Sequence, residues 1–210
     1  MFIINYGKDV ISMFKIGLLC SKVDYLIEPF NDFFKNKDVQ LICISNDEHS
    51  DFLKKAQVLN IENKYLTNEK NFEYFSSHNF DIVAVCGYDE IIKKDVLETG
   101  RFINLHESLL PAFKGDDALY RSFSAGVKVS GVTIHYLSDE NYNGEIIAQY
   151  PVLIGNLTHF DEYKEEMYAV EKMLYPIVIE KLLKDEVFDF SDLINSNKCT
   201  NSCNSCGGCH

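Results

Sequence analysis

Two side chains in the segment RFINLHESLLPAFKG (101–115) are of types that can act on a carbonyl group. Asn104 and His106 are two residues apart, so on an extended backbone they project from one face. An amide N–H and an imidazole N–H suit an oxyanion developing on a carbonyl carbon. Imidazole also moves protons near neutral pH. Taken alone, the pair reads first as a hydrogen-bonded structural histidine and second as a catalytic one.

A second group sits near the end of the chain. Cys199, Cys203, Cys206 and Cys209 follow a C-x3-C-x2-C-x2-C spacing that ends in His210. Closely spaced thiolates suit Zn²⁺ or an iron–sulfur cluster. In a reducing compartment such a cluster favours metal or redox roles over disulfides. The competing reading is a tail with incidental thiols. A metal-loaded tail would serve sensing, delivery or docking onto a protein partner. The C-x3-C-x2-C subset also fits radical S-adenosylmethionine enzymes, but the strand count here is too low for their barrel.

The elements that must position these groups follow from hydrophobic patterning. KIGLLC (15–20), VQLICIS (39–45), FDIVAVCG (80–87), RFINL (101–105), VSGVTIHYL (129–137) and EIIAQYPVLI (145–154) read as strands. The early ones are apolar throughout, as in a sheet covered on both faces. Cys20, Cys43 and Cys86 lie within or at the ends of these runs and read as small buried hydrophobes. Residues 48–58, 68–77, 89–98 and 116–125 read as helices. Alternation of strand and helix predicts an α/β fold with a mostly parallel sheet, closed by a hairpin of the last two strands. A long final helix should follow. Thr158 with Asp161 supplies its start, Met167, Val170, Leu174, Ile177 and Leu182 recur on its apolar face, and Pro176 should kink or break it. Apolar residues vanish after 194, so residues 1–194 read as one domain and 195–210 as a tail.

Composition limits the partners. The chain has 210 residues with a net charge of -12, a balance that repels nucleic-acid backbones and anionic membranes. No apolar run approaches the roughly 20 residues needed to span a bilayer, and the first residues do not read as a secretion signal. The expectation is a cytoplasmic protein acting on small molecules.

The wider stretch INLHESLLPAFKGDDALYRSFSAGVKVSGVTIHYLSDENYNGEIIAQ resembles the folate-dependent formyltransferases, and within them is most similar to the glycinamide ribonucleotide formyltransferases of purine synthesis. The Asn-x-His-x-Ser-Leu-Leu-Pro run, the Phe-x-Gly that follows, the Ala-Gly-Val-Lys-Val-x-Gly-Val-Thr segment and the Gly-x-Ile-Ile-x-Gln strand occur in family order. The resemblance covers residues 80–180 well and 15–80 loosely. It implies a Rossmann-like formyltransferase fold and transfer of a formyl group from 10-formyltetrahydrofolate to an amine. Asn104 and His106 match the residues that stabilise the oxyanion. Gly87, Tyr88, Ile91 and Ile92, with Leu137, Ser138, Asp139 and Glu140, match the segments that hold the folate. Glu107, Ser108 and Glu171 fall at the substrate side. Leu110–Pro111 matches a peptide bond that is cis in the family.

The resemblance breaks at two places. The family's third catalytic residue is an aspartate two residues before the hairpin glycine, and aligned on Gly144 that position is Tyr142. A phenol with an ordinary pKa near 10 is not an anion at neutral pH. Either Tyr142 or a nearby carboxylate (Glu107, Asp139, Glu140 or Glu145) takes over, or the chain is a folate-binding or regulatory protein on the same scaffold. Second, the family's first strand runs into a glycine-rich loop that cradles the substrate phosphate. Here KIGLLC runs into SKVDYLIEPF, with no glycine after Gly17 and only Ser21 and Lys22 placed to meet an anion. Residues 1–14 match nothing in the family.

Overall fold

The structure, a computed structural model, describes residues 13–138, 144–156, 159–189 and 191. Asp139, Glu140, Tyr142, Thr158 and the cysteines at 199, 203, 206 and 209 lie outside the described residues, so the expectations placed on them do too.

Among the described residues seven strands form one sheet: β1 (Phe14–Leu19), β2 (Val39–Ser45), β3 (Glu62–Tyr65), β4 (Ile82–Val85), β5 (Phe102–His106), β6 (Val129–Tyr136) and β7 (Ile146–Leu153), in the order β3-β2-β1-β4-β5-β6-β7. β1 to β5 run parallel, and β5–β6 and β6–β7 are antiparallel pairs. The α/β class, the mostly parallel sheet and the closing hairpin are as the sequence predicts. Strand order reverses between β1 and β4, which is where ligands gather in such sheets.

Alternating side chains of the central strands enter two cores. Ile16, Leu18, Cys43, Ile82, Ala84 and Ile103 pack on one face, and Leu19, Ile42, Ile44, Val83, Val85 and Phe102 on the other. Burial on both faces is why these runs read as apolar throughout. Cys20, Cys43 and Cys86 are buried free thiols.

The helices are α1 (Ile27–Phe34), α2 (Asp51–Val58), α3 (Asn71–Ser77), α4 (Lys94–Leu97), α5 (Ala118–Ser124) and α6 (Phe160–Leu183). α1 has no counterpart among the predicted helices. Its Pro29 sits in the first turn, where a missing N–H costs no intrahelical bond, and it buries Ile27, Phe30 and Phe34. The polar edge strand β3 was likewise not predicted. Ser50 caps α2, accepting from the Leu53 N–H at 3.2 Å. The helix expected over 89–98 is confined to residues 94–97. Gly87 turns the chain with φ 55°, where an added Cβ would sit 3.0 Å from the Val23 side chain.

α6 starts at Phe160. His159 is its N-cap, and the Glu162 carboxylate accepts from the His159 N–H at 3.0 Å. Pro176 lies inside the helix without ending it. Its neighbours Leu174, Tyr175, Val178 and Ile179 are fully buried, so packing on the sheet outweighs the lost hydrogen bond. The Tyr175 hydroxyl sits 3.1 Å from the Val85 carbonyl and 2.7 Å from that of Ile103, tying α6 to the carboxyl ends of β4 and β5. No helix among the described residues is long and apolar enough to cross a membrane.

Candidate active site

A cleft of about 560 Å³ opens beyond the carboxyl ends of β1, β4 and β5. Lys22, Tyr25, the Gly87–Asp89 loop, Asn104 to Glu107, residues 115–118 and Tyr168 line it. A smaller recess of about 50 Å³ is lined by Val85, Tyr88, Glu90, Ile92, Leu97, Asn104 and Leu137. Tyr88 and Asn104 belong to both, so the two spaces adjoin at the end of β5.

The antiparallel register sets Asn104 opposite His135. The Asn104 amide donates to His135 Nε2 at 3.2 Å, and His135 Nδ1–H donates to the Tyr136 carbonyl at 2.9 Å. His135 is fully buried, which pushes its proton affinity down and keeps this neutral tautomer. One amide hydrogen of Asn104 is thus fixed, and its other N–H remains to be aimed at a ligand.

His106 is 5% exposed. Its Nε2–H donates to the Phe113 carbonyl at 3.2 Å. Burial lowers its pKa to about 4, against the opposing pull of the Phe113 carbonyl and the Asp116 charge. His106 is therefore a neutral imidazole at pH 7. Phe113 and Asp117 hold φ of 52° and 54°, a region that costs a side-chain-bearing residue about 1 kcal/mol or more. The strained turn is what brings the Phe113 carbonyl to the imidazole.

That loop is braced from the hairpin. Thr133 Oγ1 donates to the Ser108 carbonyl at 2.6 Å and accepts from the Leu110 N–H and Gln149 Nε2, each at 3.0 Å. Gln149 also donates to the Leu110 carbonyl at 2.8 Å. Leu110–Pro111 is cis, as the resemblance implies. Gly131 is needed in the same hairpin because a Cβ there would meet the Tyr150 carbonyl oxygen at 2.1 Å.

Gly87, Tyr88, Asn104, His106 and Glu107 come together in the cleft, and Ile92 and Leu137 with Tyr88 in the recess. Three expected contacts fall elsewhere. Ser108 is fully buried, and its hydroxyl donates to the Ala112 carbonyl at 2.6 Å, so it builds the loop and does not face a substrate. Ile91 is 68% exposed and offers its carbonyl to Asn68. Glu171 is fully buried and lines neither space. It accepts from the hydroxyl of Tyr25, which stacks on Tyr168 at 4.1 Å on the cleft wall. Burial and the nearby Glu107 charge push the Glu171 carboxyl well above the usual range. Glu171 Oε1 and the Ser138 hydroxyl have no hydrogen-bond partner among the described residues.

Burial also raises the Glu107 carboxyl, with Lys164 pulling the other way. His135 and Asp116 were missed by sequence reasoning. The first was legible only as a polar residue inside an apolar strand. The second lies in a helix-like run and reaches His106 only through the 107–117 loop.

At the strand-order reversal, Ser21 Oγ lies 2.7 Å from Asp89 Oδ1 and 2.6 Å from Asn46 Oδ1, and its one hydrogen serves these two acceptors. Asn46 Nδ2 reaches the same Asp89 oxygen at 2.9 Å, and Lys22 Nζ stands 3.1 Å from Asp89 Oδ2. The bonds from Asn46 and Ser21 hold the Asp89 carboxyl at about 2. Ser21 and Lys22 do meet an anion, and it is the protein's own. Among the described residues no group of three His, Cys, Asp or Glu side chains is arranged to hold a metal ion.

The profile of the formyl transferase family matches residues 34–179. The phosphoribosylglycinamide formyltransferase of Bacillus subtilis is 37% identical over 124 residues, 58% of this chain and 64% of that protein. This chain thus spans less than two thirds of that relative. The Haemophilus influenzae protein of the same name is 28% identical over 183 residues, 80% of this chain and 86% of the relative. The crystal structure of phosphoribosylglycinamide formyltransferase from Bacillus halodurans superposes with a TM-score of 0.74 at 27% identity, covering 84% of this chain and 99% of that one.

Proposed function

The chain belongs to the formyltransferase family, and from that premise we propose that it moves a formyl group from 10-formyltetrahydrofolate to an amine bound in the cleft. The observation that carries this reading is the placement of Asn104 and His106 side by side where the cleft meets the recess. The recess, walled by Val85, Ile92, Leu97 and Leu137 with Tyr88, Glu90 and Asn104, adjoins the cleft on the side where the folate would lie.

In the reaction the amine lone pair attacks the formyl carbon and the carbonyl π pair moves onto oxygen. Asn104, its amide plane set by His135, donates its second N–H to that oxygen. His106 takes the proton shed by the attacking nitrogen and becomes an imidazolium beside the oxyanion. It then gives the proton to the folate nitrogen as the carbon–nitrogen bond breaks, and returns to its neutral state. A pKa near 4 makes His106 a weak base at rest. The oxyanion itself and the Asp116 carboxylate raise its affinity when the proton arrives. In this scheme Asp116, or Tyr142 beyond the described residues, replaces the aspartate missing from the hairpin.

The test is tetrahydrofolate release by purified protein supplied with 10-formyltetrahydrofolate and a panel of amines, headed by glycinamide ribonucleotide. Release that depends on an acceptor and is lost in His106→Ala supports the reading. Release at the same rate in His106→Ala sinks it.

A further inference from the structure

We infer that the acceptor amine carries no phosphate and brings positive charge into the cleft; this rests on the formyl-transfer reading and names the substrate class for it. Open α/β sheets bind ligands where the strand order reverses. The groups at that point that would hold a phosphate are the Ser21 hydroxyl, the Asn46 amide and the Lys22 ammonium. All three are turned onto Asp89, at 2.7, 2.9 and 3.1 Å. The Asp89 N–H adds a bond back to Ser21 Oγ at 3.0 Å. The cluster is therefore closed on itself. A phosphate arriving here would have to displace Asp89 or sit against its charge.

The remaining walls point the same way. Glu107, Asp116 and Asp117 line the cleft with Asp89, and Lys22 is the one cation among the lining residues. Other cations stand close by but are engaged. The Arg121 guanidinium donates to the Lys114 carbonyl, Lys164 lies over the Tyr168 ring at 5.4 Å and attracts Glu107, and Lys172 lies over the Tyr25 ring at 5.6 Å. A wall of carboxylates repels a phosphate dianion and draws in an ammonium.

Two matched pairs of acceptors test this. Glycinamide ribonucleotide against glycinamide riboside isolates the phosphate, and putrescine against 4-aminobutan-1-ol isolates the second positive charge. For each, kcat/KM for formyl transfer and Kd by calorimetry are measured. The riboside should match or exceed the ribonucleotide, and putrescine should exceed the amino alcohol by about tenfold. In Asp89→Asn the ribonucleotide-to-riboside ratio should rise about tenfold, because Lys22 and Ser21 are released. In Asp116→Asn, which leaves the Ser21 cluster intact, the putrescine preference should shrink. Ratios between acceptors cancel any change these variants make to catalysis itself. A wild-type preference for the ribonucleotide of about tenfold or more overturns the inference while leaving formyl transfer standing. So does a preference for the amino alcohol over putrescine. No transfer to any amine, with 10-formyltetrahydrofolate bound, overturns the transfer reading and this inference with it.

Discussion

Thr133→Val probes whether the hairpin braces the catalytic loop. The substitution keeps shape and removes one hydroxyl that serves three partners: the Ser108 carbonyl, the Leu110 N–H and Gln149. Gln149 keeps its bond to the Leu110 carbonyl, so it is only half deprived. The Leu110 N–H is left buried without an acceptor, which costs about 1–3 kcal/mol, and the Ser108 carbonyl loses a further bond of about 1 kcal/mol. The sum is about 2–4 kcal/mol, or roughly a 6–12 °C fall in Tm for a domain of this size. Urea unfolding at constant m-value measures it. Activity should fall too, because the same loop carries the Phe113 carbonyl that orients His106. A decrease in kcat of about tenfold or more with unchanged donor Kd is expected. Thr133→Ser separates polarity from packing: it keeps the hydroxyl, loses one methyl at about 1 kcal/mol, and should retain kcat. A valine variant within about 0.5 kcal/mol of wild type, or a serine variant as damaged as the valine one, would refute the bracing argument.

Three further outcomes follow from the same geometry. His106 has a folded pKa near 4 against 6.5 when unfolded, so its contribution is intact above about pH 6.5 and is lost as pH falls toward 4. Compared with His106→Gln, the wild type should therefore lose about 2 kcal/mol more between pH 7 and pH 5, read from urea unfolding at the two pH values. The raised carboxyls of Glu107 and Glu171 act with the opposite sign in both proteins and cancel in the difference. Gly131→Ala puts a Cβ 2.1 Å from the Tyr150 carbonyl oxygen, so β6 and β7 must part; a loss of about 2–4 kcal/mol is expected by thermal unfolding. Tyr175→Phe leaves the Val85 and Ile103 carbonyls without the buried hydroxyl and should cost about 1–3 kcal/mol in the same assay.

The parts of the fold that could be read from the chain are those where burial and pattern coincide. β4, and β1 and β2 past Lys15 and Gln40, are covered on both faces and appear as apolar runs. β3 is a polar edge strand, Glu-Asn-Lys-Tyr, held by its parallel pairing with β2, and nothing local marks it. The 89–98 run has helical spacing, but Gly87 redirects the chain and Asp89 is captured by Ser21 and Asn46, so only one turn of helix survives. The same contrast holds at the site. Asn104 and His106 are legible because they share one strand. His135 is set by antiparallel register, Asp116 by the loop that returns to His106, and Asp89 by a loop that reaches Ser21 across 68 residues. Short-range spacing carries no signal for such partnerships. Motif residues have also proved structural: Thr133, Gln149 and Ser108 belong to the bracing network around a cis peptide and do not line the cleft.

The central claim is that Asn104 and His106 act on the formyl carbonyl, and one comparison reaches it directly. Acceptor-dependent tetrahydrofolate release is measured in wild type, Asn104→Ala and His106→Ala at saturating 10-formyltetrahydrofolate, with donor Kd determined for each. In each variant kcat should fall by about 10²–10³ while wild type turns over. For His106→Ala, which is outside the recess, donor binding should stay within about threefold of wild type. Wild-type kcat in either variant, or a loss in His106→Ala explained wholly by weaker donor binding, would contradict it.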